Sequence, residues 1–252
     1  MSVDRKSFEG PDSERRLRID LAAAFRLTAR MGWNEAVANH FSAAASADGR
    51  RILINPRWRH FGNIRASDLL LLDIDDEGVM SRSGAPDPSA WCIHSHLHAA
   101  VPQARCILHL HPPYATALSS LADPEVKPID QNTARYFNRI AIDREFGGIA
   151  DNAEEARRLA RSIGNHSRLM MCNHGVLVVA DTVAEAFDDM YYLERACQNL
   201  VLAYSTGRKL NPLSDEIAEN TARGWESYRA SAHAHFEQLK AMLDEREPAY
   251  AQ

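Results

Sequence analysis

The run Cys106-Ile107-Leu108-His109-Leu110-His111, followed at once by Pro112-Pro113, is the segment that most restricts how this chain can fold. It opens apolar and alternates over its last four residues, as a strand does. Proline cannot donate to a sheet ladder but is favoured in the first turn of a helix, so the strand passes directly into a helix start. In a strand, residues two apart share a face, which sets the His109 and His111 imidazoles side by side, roughly 7 Å apart at the backbone. That arrangement suits two ligands closing on one ion, although the same pattern also arises in ordinary sheets.

The rest of the chain supplies a partner sheet and its cover. Residues 13–32 read as an amphipathic helix capped by Ser13, with Leu17, Leu21, Ala24, Phe25 and Thr28 on its apolar face and Gly32 near its end. Residues 41–45 and 51–54 flank Asp48-Gly49 and predict an antiparallel hairpin. Residues 69–74 read as a buried strand, closed by the turn 75–78, with a second hairpin expected there. Residues 88–100 predict a helix ended by Pro102. Residues 153–163 predict another, and residues 169–172 and 176–179 are strands separated by Asn173-His174-Gly175. Thr182 caps a long helix to about residue 206, and one charged helix is expected to run to about residue 246. The interleaving without repeats predicts an α/β fold, a three-layer αβα sandwich around a mixed, largely antiparallel sheet. We expect a flexible tail over residues 1–12, one domain over 13–210, and a helical extension of that domain over 211–252.

Composition removes several functions. The 252 residues are 45% hydrophobic and 25% charged, ordinary for a globular protein with a sizeable core. A net charge of −5 without a basic face argues against nucleic acid or a membrane surface as partner. No apolar run approaches the ~20 residues of a membrane span. Cys92, Cys106, Cys172 and Cys197 are scattered and read as reduced thiols, consistent with the cytoplasm. A small molecule is the expected partner.

Eleven histidines are present, and His94, His96, His98, His109 and His111 crowd one stretch. Catalytic metal sites commonly use three protein ligands and leave a position open. His174 is the best third ligand, because it lies in a tight connection between apolar strands where a partnerless imidazole would be costly. A hydrogen-bonded turn histidine is the plainer alternative. His94 and His98, one helical turn apart, form a competing pair but lack the glutamate of a protease-type helix. His96 and His98 read better as a solvent- or interface-facing cluster.

At these residues the sequence resembles the class II aldolase/adducin superfamily, over about residues 15 to 210. The landmarks are Ala38-Asn39-His40-Phe41-Ser42, His94 with His98, the pair His109 and His111, Asn173-His174-Gly175, and Tyr192-Leu193-Glu194-Arg195-Ala196-Cys197. The resemblance implies one divalent metal, zinc first and manganese or another ion next, on His109, His111 and His174. It also implies a homo-oligomer, usually a tetramer, with sites near subunit boundaries. Members that act on sugar phosphates carry an acid four positions before the residue matching His94; here that position is Ala90, as in an adducin-like branch lacking the usual catalytic acid. Asp87 would point about 60° away from it on a helix. Arg57-Trp58 and Pro88-Ser89 stand where small phosphate-binding residues are expected; the guanidinium and aromatic groups of Arg57, Trp58, Arg59, His60 and Phe61 suit a carboxylated or aromatic substrate better, a surface loop used for packing or subunit contact being the plainer alternative.

The expected reaction is therefore carbon–carbon cleavage, retro-aldol or decarboxylating, through a metal-stabilised enolate of a hydroxy-carbonyl or hydroxy-acid. A dehydratase or epimerase and a non-catalytic adducin-like assembly module are the alternatives. His94 and Tyr136 are the catalytic candidates, the latter beside the commoner role of a packed tyrosine. Asn39, Arg57, Ser89, Gln131 and Asn132 are the substrate-binding candidates.

Overall fold

The computed structural model describes residues 11–149 and 151–252. Helix α1 spans Pro11–Arg30 and ends in Gly32, whose φ of +70° is open to glycine. Ser13 thus lies inside the first turn and not at the cap. Most of the expected tail falls outside the described residues, and residues 11 and 12 are already helical.

Strands β1 (His40–Ala44) and β2 (Arg51–Ile54) pair antiparallel across the Asp48-Gly49 turn. Gly49 has φ +78°, the left-handed conformation such a turn demands. β3 (Leu70–Asp73) pairs with β2 and forms one edge of the sheet, so its face is half-buried and not buried. No second hairpin follows it; residues Val79–Ser81 turn as a 3-10 helix.

α2 (Pro88–Ala100) is capped by the Asp87 carboxylate, which accepts from Ser89 N. β4 (Cys106–Leu110) runs into α3 (Pro113–Ser119), with Pro113 in the first helical turn. The short α4 (Gln131–Ala134) and β5 (Ala141–Asp143) lead to α5 (Ala153–Ile163). β6 (Arg168–Met171) and β7 (Gly175–Ala180) flank the turn carrying His174, and α6 (Val183–Ser205) starts at the Thr182 cap. The last charged segment is two helices, α7 (Asp215–Ser227) and α8 (Ala230–Arg246). They part at Tyr228 because each buries a different stripe, Ala218 and Ala222 on one and Phe236 and Leu243 on the other.

The seven strands lie in the order β3-β2-β1-β4-β7-β6-β5, antiparallel except β5 with β6. Alternation divides the core into two layers. Leu108, Leu110, Val176 and Val178 pack with α1, α3, α6 and α8, whereas Ile107, Leu177 and Val179 pack with Ile93 and Leu97 of α2 and Leu159 and Ile163 of α5. The fold is an αβα sandwich. His109 shares its strand face with Ile107, toward α2, and this side holds the polar residues discussed next.

Candidate metal centre and cavity

β4 sits mid-sheet between β1 and β7, which fixes its end firmly. His109 faces His40 of β1 in the ladder and Leu177 of β7. Its buried Nδ1 donates to the Val176 carbonyl at 3.0 Å, so Nε2 is the nitrogen left free. His111 lies just past the strand, and its Nδ1 meets the Glu35 carboxylate at 2.5 Å, again leaving Nε2. The two Nε2 atoms are 3.2 Å apart. Two nitrogens held ~2.0–2.1 Å from one tetrahedral ion lie about 3.3 Å from each other, so the spacing suits a shared metal.

His174 completes the group. Asn173 takes φ +59° and Gly175 admits the close crossing of Leu110, and the turn so formed swings the imidazole toward β4. The ligand atoms of His109, His111 and His174 all lie within 4.8 Å of one another. Burial holds the His109 imidazole well below its ordinary pKa and, with the neighbouring His111, brings His174 down to about 4. Both therefore stand neutral at pH 7, the form that binds metal. The beginning of α3 is anchored independently: the buried Glu194 carboxylate accepts from Tyr114 N at 2.9 Å and Ala115 N at 2.8 Å, holding the chain that leaves His111.

These imidazoles open onto a cavity of about 590 Å³, within the range of small-molecule sites. Asn39, Arg57 and Ser89 line it, as do His40, Asn55 and Phe146. Asn39 adopts φ +71°; its Oδ1 accepts from Glu35 N at 3.0 Å, while its buried Nδ2 has no partner among the described residues. Asn55 Oδ1 accepts from Phe41 N at 3.1 Å. The Arg57 guanidinium lies 3.7 Å over the Trp58 ring. Ser89 is turned onto Asp87, both through its N–H and its hydroxyl.

Other expected residues lie elsewhere. His94 is fully buried behind His40, with His94 Nε2 2.7 Å from His40 Nδ1, and does not line the cavity. Ala90 is buried as well. Gln131 and Asn132 sit on α4 away from the cavity of their own chain. Tyr136 is buried in the opposite layer, where its hydroxyl donates to the Asp189 backbone carbonyl at 2.9 Å. His98 is buried against Ser42 and faces neither solvent nor a partner, and His96 bonds the Cys92 carbonyl. Of the loop 57–61, only Arg57 faces the cavity; Arg59 pairs with Asp68, His60 caps a 3-10 turn and Phe61 is core. A second cavity of about 310 Å³ near Arg135, Arg168 and Trp225 has its buried carboxylates Asp188 and Asp189 already paired to those arginines.

Glu35, His40, Asn55 and Phe146 are cavity residues that sequence reasoning did not assign. His40 carried a signal, as a polar residue at the head of a buried strand.

A sheet of this order with a three-histidine cluster at the end of its middle strand defines an αβα protein with a candidate metal centre. Residues 19–201 match the family model of the class II aldolase and adducin N-terminal domain, and the chain belongs to that family. A Caulobacter vibrioides protein provisionally named an aldolase class 2 protein is 35% identical over 212 residues, 84% of this chain and 82% of the relative. Decarboxylase NovR of Streptomyces niveus is 27% identical, over 84% of this chain and 81% of its own length. The crystal structure of an aldolase II superfamily protein from Pseudomonas syringae superposes with a TM-score of 0.85 at 29% identity, covering 97% of this chain and 98% of the other. No helix among the described residues is long and apolar enough to cross a membrane.

Proposed function

We propose that this chain is a divalent-metal-dependent carbon–carbon lyase acting on a hydroxy-acid or hydroxy-carbonyl compound. The observation that carries the reading is the convergence of His109, His111 and His174 at a cavity that also presents Arg57. The donor set suits zinc first and manganese next. A divalent ion held there supplies Lewis-acid stabilisation of the charge that develops on substrate oxygens as the carbon–carbon bond breaks. Glu35 and the Val176 carbonyl aim the ligand nitrogens.

The remaining steps fall to side chains on the cavity wall. Arg57 has no acidic partner among the described residues and offers a fork for a substrate carboxylate. Asn39 Nδ2 offers an N–H that no described residue accepts. With alanine at position 90 and His94 out of reach, His40 is the side chain placed to meet a substrate proton. Phe146, 57% exposed and with its ring 6.1 Å from that of His174, gives the cavity an apolar wall for an aromatic or alkyl substituent. In this reading the enzyme works in the cytoplasm as a homotetramer, and Gln131 and Asn132 can contribute only from a neighbouring subunit.

Metal content per chain, measured on protein purified without chelators beside His109→Ala and His174→Ala, tests the centre. About one ion in the native protein, lost in both variants, is expected. Product analysis over 2,3-dihydroxy acids and 2-hydroxy-3-oxo acids, with and without aryl substituents, then separates the reactions: an aldehyde means retro-aldol cleavage and carbon dioxide means decarboxylation. A product that keeps its carbon skeleton would instead mean a dehydratase or epimerase. The buried alanine at position 90 favours one second reading, an adducin-like assembly module; a native protein without metal would support it.

A further inference from the structure

Trp58 does little for the stability of the fold. It stands on the loop between β2 and the 3-10 turn Phe61–Asn63, 70% exposed, whereas Phe61 on the same loop is fully buried. Its backbone takes φ +61°, in the left-handed region that bulky side chains rarely occupy. An indole left in water forgoes the gain of burial, and a backbone held in that region works against folding. Both features persist at the rim of the metal cavity, where the preceding residue, Arg57, faces inward.

What the ring meets explains its place. The Arg57 guanidinium carbon lies 3.7 Å from the centre of the Trp58 ring, the contact distance of two flat groups laid face to face. A guanidinium donates hydrogen bonds in its own plane, so a ring against its face restrains it and leaves its N–H fork free. Arg59, two residues on, makes the contrast: it turns away from the cavity and its guanidinium is taken up by the Asp68 carboxylate at 3.1 Å. Arg57 is also the one arginine or lysine among the described residues that line the cavity, and the carboxylates of Glu35 and Asp87 line it too. One cation beside two acids matches a singly charged carboxylate better than a dianionic phosphate.

We propose that Trp58 is a positioning residue whose ring holds the Arg57 guanidinium toward the cavity with its N–H fork free, so that the site takes a substrate bearing a carboxylate separate from its metal-chelating oxygens. The three histidines and Arg57 face the same space, which sets the chelating end and the carboxylate end of one molecule. Between them Phe146 and Ile149 offer apolar contact to whatever joins the two ends. The strained backbone and the exposed ring are then the cost of a pre-aimed cation. The inference rests on the reading of this cavity as a lyase site, but its test does not.

Calorimetric titration of the metal-free full chain with benzoate, benzamide and phenyl phosphate reads the carboxylate end alone. Benzoate should bind more tightly than the neutral amide and more tightly than the phosphate. Trp58→Asn removes the ring, and asparagine tolerates this φ better than tryptophan, so the variant should unfold at no lower a temperature than the native protein. Its benzoate affinity should nevertheless fall about two- to fivefold, the range of an exposed cation–aromatic contact. Trp58→Phe, which keeps an aromatic face, should recover most of that affinity. Arg57→Ala should bring benzoate down to the level of benzamide, and adding Trp58→Asn to it should change nothing further. Benzoate bound no better than benzamide or phenyl phosphate overturns the proposal, as does native benzoate affinity in Trp58→Asn, or an equal loss with Arg57 already gone. A lower unfolding temperature or a changed assembly size in Trp58→Asn also overturns it and makes Trp58 a packing or subunit contact. Because neither metal nor turnover is involved, failure here leaves the lyase reading intact, and an absence of metal or lyase products leaves the benzoate result intact.

Discussion

The Glu35 carboxylate lies 2.5 Å from His111 Nδ1, joining two residues 76 positions apart at the rim of the cavity. A carboxylate behind a ligating imidazole sets its tautomer, turns its ring and raises its basicity, and removing such a partner commonly weakens metal binding 10- to 100-fold. Glu35→Ala should therefore bind zinc about 10- to 100-fold more weakly in a chelator competition. Glu35 is well exposed, so the metal-free protein should unfold at an unchanged temperature.

Gly175 is fixed by a crossing of chains. A Cβ there would stand 2.5 Å from the Leu110 carbonyl oxygen and 2.6 Å from His111 Cδ2. Gly175→Ala must push β7 from the end of β4 and displace His111. Both stability and metal affinity should fall, the first by about 1–3 kcal/mol as in other overpacked interiors. Denaturant unfolding of the metal-free protein and zinc titration read the two effects separately. Intact zinc affinity would show that the turn does not aim the site.

Acid should destabilise the metal-free protein. His174 falls to about 4 and His98 to about 3, below the ordinary 6.5 of an unfolded histidine. Between those values the unfolded chain binds protons that the native chain refuses, so native stability is full above pH 6.5 and declines as pH drops toward 4. Each such histidine contributes a slope of about 1.4 kcal/mol per pH unit. Urea midpoints at pH 7.5, 6.5 and 5.5 should be similar for the first pair and clearly lower at 5.5. A flat profile would mean that these imidazoles titrate normally.

Tyr136 offers a test of its own role. Its hydroxyl serves the Asp189 carbonyl and stands 3.1 Å from Asp189 Oδ1, beside the Arg168–Asp189 pair. Tyr136→Phe should cost about 1–2 kcal/mol through those lost bonds while leaving metal content unchanged. Activity loss much larger than that stability loss, once a substrate is in hand, would restore Tyr136 as a chemical participant.

Much of the fold was legible along the chain because its signals are local. The Asp48-Gly49 turn, the Thr182 cap and the proline stop after His111 each act within a few residues, and the elements fall where those signals set them. The misses have local causes as well. Residues 70–73 are as apolar as a central strand, yet edge position is a property of the sheet and not of the run. The final helix divides at Tyr228 because its two halves meet different neighbours, and no breaker marks the place.

At the site, the alternation rule put His109 and His111 on one face, and a buried turn made His174 their companion. That much the sequence determined by itself, since strand period and turn chemistry are written within short windows. Tertiary structure decided the rest. The register of β1 on β4 brings His40 opposite His109, α2 carries His94 behind it and out of reach, and Glu35 arrives from a loop with no motif. Ligand aim depends on which atoms meet across the sheet, and those meetings exist only once the long-range pairing has formed.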